Sequence, residues 1–230
     1  MKQQKMDIIK VFLNNGIELE QNQAELIDQY ADLLKKYNDR GNLISRKDID
    51  NVLINHILPC YLFSDKLKGY ESVLDIGTGG GLPGIVFAIN HHKSQILLID
   101  STKKKIQAVT EIVQTLGLKK VETYWTRVED KKFVEQFGKR FDLIISRSTA
   151  DLKTIVFYAI PLLKKLNTAQ LAVMKGGDLK TEIHQTRREF PNLHLSIRPL
   201  IYKPGNESNI NQKYIVTVEN FDEGIKKNIR

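Results

Sequence analysis

Apolar side chains recur at three- and four-residue steps over the first third of this chain, then give way to short continuous apolar runs. Leu26, Ile27, Tyr30, Leu33, Leu34 and Tyr37 form one helical stripe. Ile49, Val52, Leu53, His56 and Ile57 form another, Met6 to Leu13 a short third, and the Gly41-bearing stretch Asn38 to Ser45 separates the first two. From residue 71 onward five runs read as strands: Ser72 to Ile76, Gln95 to Asp100, Val121 to Thr126, Phe141 to Ser146 and Gln170 to Met174. Helical segments fill gaps between them at Pro83 to Asn90, Thr102 to Leu116 and Leu152 to Leu163, and Asp178 to Phe190 follows the last. This alternation predicts an α/β fold with a mostly parallel sheet covered on both faces. Two last runs, Leu193 to Ile201 and Tyr214 to Val218, are joined by a Pro204-Gly205-Asn206 turn with nothing that could make a crossover helix. They predict an antiparallel hairpin closing a seven-stranded sheet. Because no Pro/Gly/Ser-rich linker intervenes, residues 1–68 are expected to form a helical extension packed on a domain over residues 69–230.

Composition narrows the class. With 230 residues and 41% hydrophobic content the chain can bury one sizeable core. Its longest apolar run, Ile155 to Leu163, is too short for a membrane span, and Met1 to Lys10 lacks a signal-peptide core, so a soluble, cytoplasmic protein is expected. Cys60 is the single cysteine, which excludes an internal disulfide and a cysteine-rich zinc site. The net charge of +8 is lopsided: residues 1–70 hold ten basic and ten acidic side chains, residues 71–230 hold 25 and 17. Such a field attracts polyanions such as nucleic acid; ordinary solubility charge is the alternative reading.

The densest local signal is Asp75-Ile76-Gly77-Thr78-Gly79-Gly80-Gly81-Leu82-Pro83-Gly84. Between an apolar strand and the packed face Ile85 to Ile89, it predicts a strand end, a glycine turn and a helix start. Gly77, Gly79 and Gly81 permit positive φ and leave bare backbone as a binding surface. A nicotinamide fingerprint, G-x-G-x-x-G, requires a third glycine where Leu82 stands, so this register fits it poorly. An acid two residues before the first glycine, with glycines alternating after it, resembles the first motif of class I S-adenosylmethionine (SAM) methyltransferases. The closing hairpin points the same way. Asp75 is then expected at the carboxyl end of the first strand, where ligands bind in open parallel sheets.

Further candidates lie at the other strand ends. Asp100 ends the second strand and is placed to accept hydrogen bonds from an adenosine ribose, with helix capping as its alternative use. Lys103, Lys104 and Lys105 are either phosphate contacts or a solvated face. Arg127-Val128-Glu129, after the third strand, is either set against the adenine or a charged loop. Ser146-Arg147-Ser148 ends the fourth strand, and there the chain has neither an Asp/Asn-Pro-Pro-aromatic loop for exocyclic amines nor a cysteine nucleophile for pyrimidine C5. An acceptor with an exposed lone pair, such as guanine N7, needs neither; positioning and desolvation carry it, an effect worth up to ~7–11 kcal/mol. Arg147 is the candidate to pair with a cofactor carboxylate or substrate phosphate, or to stack on a base, against a structural salt bridge. Lys175, followed by Gly176 and Gly177, suits an approaching phosphate; a plain turn capped by Asp178 is the alternative. Arg147 and Lys175 are thus the catalytic candidates, as electrostatic positioners rather than bases. His56, on an apolar stripe, is read as a satisfied core histidine and Cys60 as packing. The five histidines show no metal-ligand spacing, and no metal is assigned.

Taken together, the chain resembles the RsmG (GidB) family, the bacterial small-subunit ribosomal RNA guanine-N7 methyltransferases, from about Tyr37 to Val218. The resemblance is carried by Tyr37-Asn38 with Asn42-Leu43, His56-Ile57-Leu58, the Asp75 to Gly84 motif, Leu98 to Ser101 with Lys104-Lys105, Arg127-Val128-Glu129, Ile145-Ser146-Arg147 and Lys175-Gly176. It implies a class I, Rossmann-like methyltransferase fold, SAM as cofactor with contacts at Gly77, Leu82, Val128, Glu129 and Arg147, and an acceptor in small-subunit rRNA or a ribosomal particle. The chain departs from the family at Pro59-Cys60, where Asp-Ser is usual, and at Thr149-Ala150-Asp151. A SAM methyltransferase for another substrate and a non-catalytic rRNA-binding assembly factor are the alternative functions.

Overall fold

The computed structural model of the chain describes residues 2–147, 150–164, 168–203 and 211–221, with side chains from residue 8 onward except at 211. Seven strands form one sheet: β1 (Ser72–Ile76), β2 (Gln95–Asp100), β3 (Val121–Trp125), β4 (Leu143–Arg147), β5 (Gln170–Lys175), β6 (His194–Tyr202) and β7 (Asn211–Glu219). Their spatial order is β3-β2-β1-β4-β5-β7-β6, and the pairs among β1 to β5 are parallel. β7 runs antiparallel between β5 and β6, so the sheet closes with the expected hairpin. The Pro204-Gly205-Asn206 turn lies outside the described residues, as do Ser148 and Thr149.

Strand alternation splits the core in two. Val73, Ile96, Leu98, Leu143, Ile145, Ala172, Met174 and Ile215 face one apolar cluster, shared with α4 (Gly84–Asn90) and α5 (Lys103–Thr115). Leu74, Leu97, Ile99, Ile144, Leu171, Val173 and Val216 face the other, with α7 (Leu152–Ala159) and α8 (Lys180–Glu189) over it. A helix absent from the sequence reading, α6 (Lys131–Phe137), also covers this second face. It is too short for a periodic stripe, but Asp130 caps it through the amides of Lys132 and Phe133 at 2.9 and 3.1 Å, and Phe133 is buried beneath.

The N-terminal helices α1 (Lys2–Leu13), α2 (Gln21–Gly41) and α3 (Leu58–Asp65) join the first cluster rather than making a core of their own. Ile27, Tyr30, Leu34, Ile57, Leu58 and Phe63 are fully buried in it. Each such side chain contributes about 1.5–3 kcal/mol by leaving water. Asn15 also pairs with the backbone of Lys203, accepting at 2.8 Å and donating at 3.1 Å, which ties the extension to the hairpin. The stripe ending at Ile57 is not one α-helix. A 3-10 turn at Arg46–Asp48 leads to a π-helical turn at Leu53–Ile57, which passes into α3 with Pro59 in its first turn, where a missing N–H costs nothing.

Candidate active site

The glycine turn is held from beneath by Asp75. This carboxylate has no exposed surface, and its Oδ2 accepts from Thr78 Oγ1 at 2.6 Å and from the Gly84 amide at 2.9 Å. Burial pushes its carboxyl up to about 7, against the opposing effect of those two donors. Two glycines are sterically required. A Cβ on Gly84 would stand 2.2 Å from Leu98 Cδ2 and 2.7 Å from Asp75 Oδ2. At Gly81, φ is +96° and a Cβ would stand 2.4 Å from Ile85 Cδ1. From the outside, Tyr30 of α2 donates its hydroxyl hydrogen to the Gly80 carbonyl at 2.9 Å.

Above the turn, at the carboxyl ends of β1 and β2, opens a cavity of about 610 Å3. Gly77, Thr78, Gly79, Gly80 and Leu82 form its floor, and Asp100, Ser101, Thr102 and Lys105 one wall. Asp100 fixes that wall to the floor: Oδ2 accepts from the Gly79 amide at 3.0 Å and Oδ1 from the Thr102 amide at 2.8 Å. An ionised carboxylate has about four lone-pair sites, so these two bonds leave acceptor capacity toward the cavity.

Arg147, Lys213, His56 and Leu43 make the opposite wall. Arg147 ends β4 on the face of Leu143 and Ile145, which turns it toward the extension. Its Nη1 donates to His56 Nδ1 at 3.1 Å and lies 3.7 Å from Cys60 Sγ. His56 Nε2 in turn lies 3.2 Å from Asp48 Oδ2, whose other oxygen accepts from Asn55 Nδ2 at 3.0 Å. Burial, and next the Arg147 guanidinium, lower the imidazole pKa to about 4. At neutral pH the ring is therefore uncharged, and the guanidinium fixes its tautomer: Nδ1 accepts from Arg147 and Nε2–H donates to Asp48. Burial pushes the Cys60 thiol up, so it is neither a thiolate nor a nucleophile. Lys213 is shifted downward, first by burial and then by Arg147.

Of the residues singled out from sequence, Gly77, Gly79, Leu82, Asp100 and Arg147 meet in this cavity. Asp75 and Gly81 stand behind its floor, where they shape the turn without lining the space. Lys175 does not join Arg147. The two strands pair Arg147 with Met174, so Lys175, one residue on, points to the opposite face. There its Nζ is 2.5 Å from Glu182 Oε1 and 2.5 Å from the Ala150 carbonyl, a buried structural ion pair. Val128 is buried in the second apolar cluster and Glu129 is exposed with Arg127 at 3.6 Å; neither lines the cavity. Thr78, Gly80, Ser101 and Thr102 line the cavity between the assigned positions without having been assigned themselves, and so do four further residues. Leu43 and His56 were visible as motif members and Lys105 within a lysine run, but Lys213 carries no local signal at all.

Comparison with known proteins gives a consistent answer. A family model described as GidB, rRNA small subunit methyltransferase G, matches residues 23–203. A "Ribosomal RNA small subunit methyltransferase G" from Chlorobium luteolum is 42% identical over 178 residues, covering 76% of this chain and 72% of that protein. Its namesake from Chlorobaculum tepidum is 40% identical over 171 residues, covering 74% and 76%. Among solved structures, a precorrin-6y C5,15-methyltransferase from Geobacter metallireducens superposes with a TM-score of 0.54 at 12% identity, over 76% of this chain and 89% of that one. At that identity the likeness speaks for the fold alone.

Proposed function

The chain belongs to the GidB family, rRNA small subunit methyltransferase G, and from that premise we propose that it transfers a methyl group from SAM to N7 of a guanine in small-subunit rRNA. One observation carries the reading: a glycine turn braced by Asp75 and Asp100 opens into the same cavity that Arg147 enters from β4. The donor set fits the cofactor. Gly77 and Gly79 present bare backbone, Leu82 an apolar contact, and Asp100 acceptor sites for ribose hydroxyls. A ligand extending past Asp100 meets the segment after β3 next, because Asp100 is paired with Trp125, and Val128 and Glu129 follow there. When bound, SAM supplies an electrophilic methyl group on a sulfonium.

The protein's own task is then positioning. Guanine N7 carries an in-plane lone pair and loses no proton on methylation, so no general base is required. The site agrees: His56 has both ring nitrogens engaged and Cys60 is held as a thiol. Arg147, oriented by the His56–Asp48 pair, is the group that orients the incoming nucleotide through its phosphate or O6. Lys175 keeps the second face in register and takes no part in transfer. No helix among the described residues is long and apolar enough to cross a membrane, and none of their His, Cys, Asp and Glu side chains form a cluster suited to a metal ion.

Incubation with methyl-labelled SAM and purified small ribosomal subunits tests this directly. Label is expected in the rRNA, at a 7-methylguanosine revealed by chain cleavage at that nucleotide. Label in a ribosomal protein, or at another ring position, overturns the assignment.

A further inference from the structure

Lys175-Gly176-Gly177 has no part in the catalytic cavity, yet beyond it lies a second depression of about 430 Å3. One wall is the face of α8 on which Lys180, Ile183, His184 and Arg187 recur at helical spacing; the other is Ile197 and Tyr214 of the hairpin. Ile197 is 37% exposed. Among the described residues, neither Lys180 nor Arg187 has a carboxylate within ion-pair distance. Of the two acids nearby, Glu182 is paired with Lys175, and Asp178, which also lines the groove, accepts from the Lys180 amide at 3.0 Å.

The groove and the catalytic cavity lie on opposite faces of the sheet but share an edge. Lys213 and Tyr214 are consecutive on β7, and successive strand residues point to opposite faces. Lys213 therefore lines the cavity and Tyr214 the groove. Gly176 and Gly177 follow β5 next to Tyr214, and among the described residues a Cβ added at either would meet nothing within 4 Å.

We propose that this groove binds single-stranded RNA flanking the target guanine. Lys180 and Arg187 pair with its phosphates, Tyr214 and Ile197 offer an apolar surface to a base, and the strand crosses Gly176-Gly177 into the catalytic cavity. Unpaired cations beside an aromatic ring suit an unpaired polynucleotide, whose phosphates need charge and whose bases need a stacking surface. The basic excess of residues 71–230 adds long-range attraction. The inference rests on the rRNA methyltransferase reading above.

Binding of a short, unstructured, fluorescein-labelled RNA, followed by anisotropy across a salt series, tests it. Lys180→Gln with Arg187→Gln is expected to weaken binding about tenfold and to flatten the log–log salt slope by about 1.4, the loss of two single-strand phosphate contacts. Lys93→Gln with Lys119→Gln, an equal charge change at the opposite end of the sheet, is expected to alter neither. SAM affinity is expected to be the same in all three proteins. Equal losses in both double variants, or none in the groove variant, overturn the proposal. So does weakened binding to intact small subunits with RNA binding unchanged, which assigns the groove to a ribosomal protein. Failure of the enzyme reading registers separately, as wild-type protein that binds RNA but transfers no methyl group.

Discussion

The two walls of the catalytic cavity are built on different principles. On the β1–β2 side the working surface is backbone, braced by two short carboxylates whose partners lie within about twenty-five residues of one another in the chain. On the β4–β7 side it is long cationic side chains, Arg147 and Lys213, steadied by His56 and Asp48 from the extension, 91 residues from Arg147 in the case of His56. The backbone surface tolerates little change where it rests on the core, since a Cβ at Gly81 or Gly84 collides with Ile85 or Leu98. A side-chain surface tolerates change of shape but depends on what orients it. Damage to the first should therefore appear as lost stability and lost cofactor affinity, and damage to the second as lost turnover in a folded protein.

Gly84→Ala is expected to have the largest effect, because its Cβ would sit inside Leu98 and against the Asp75 carboxylate. Overpacking of this kind costs about 1–3 kcal/mol and sometimes more. A urea melt should register that loss, and a SAM titration should show affinity falling with it; full stability with normal affinity would erase the contrast between the walls. Arg147→Ala should leave the melt nearly unchanged and lower kcat about a hundredfold, equivalent to about 2.7 kcal/mol. His56→Ala should act through Arg147 and lower kcat by about tenfold, with His56→Gln restoring part of it, since the amide can accept from Arg147 and donate to Asp48. Equal kcat for His56→Ala and wild type would show that the guanidinium needs no support.

The smallest effect concerns pH. The Asp75 carboxyl titrates near 7 when folded and near 3.8 when unfolded, so the folded form retains a proton over that window. Its contribution to stability is present at low pH and is lost as pH rises through about 7. Between pH 6 and 7.5 the loss amounts to about 1 kcal/mol, and Asp75→Asn should abolish that slope. His56 works the other way: its depressed pKa costs stability as pH falls from about 6.5 toward 4. A wild-type profile that stays flat from pH 6 to 7.5 would mean that Asp75 is ionised and the floor is held by charge.

Most of the strands were legible in advance because their succession along the chain follows from local signals, whereas their order in the sheet was not read. β1 and β2 coincide with the apolar runs read for them, and the closing hairpin follows from a connection too short for a helix. The short α6 was not legible, since seven residues held by one capping aspartate leave no periodic trace. His56 shows the limit more sharply. Its place on an apolar stripe suggested a satisfied core histidine; both ring nitrogens are indeed engaged, but the residue is half-buried and lines the cavity, and neither the π-helical turn that brings it there nor the arginine it meets was visible.

By itself, then, the sequence determined the glycine turn, its two bracing aspartates and the class of fold around them, because those features depend on residues close in the chain and on which φ values glycine alone adopts freely. Which face each strand-end cation serves was decided only by the tertiary structure. The β4–β5 register pairs Arg147 with Met174 and so sends Lys175 to the far side, to Glu182. The antiparallel entry of β7 brings in Lys213, and the packed extension brings in His56. A one-residue change of register exchanges faces, and strands buried on both faces, as β4 and β5 are, carry no apolar–polar alternation that would fix the register from the local sequence.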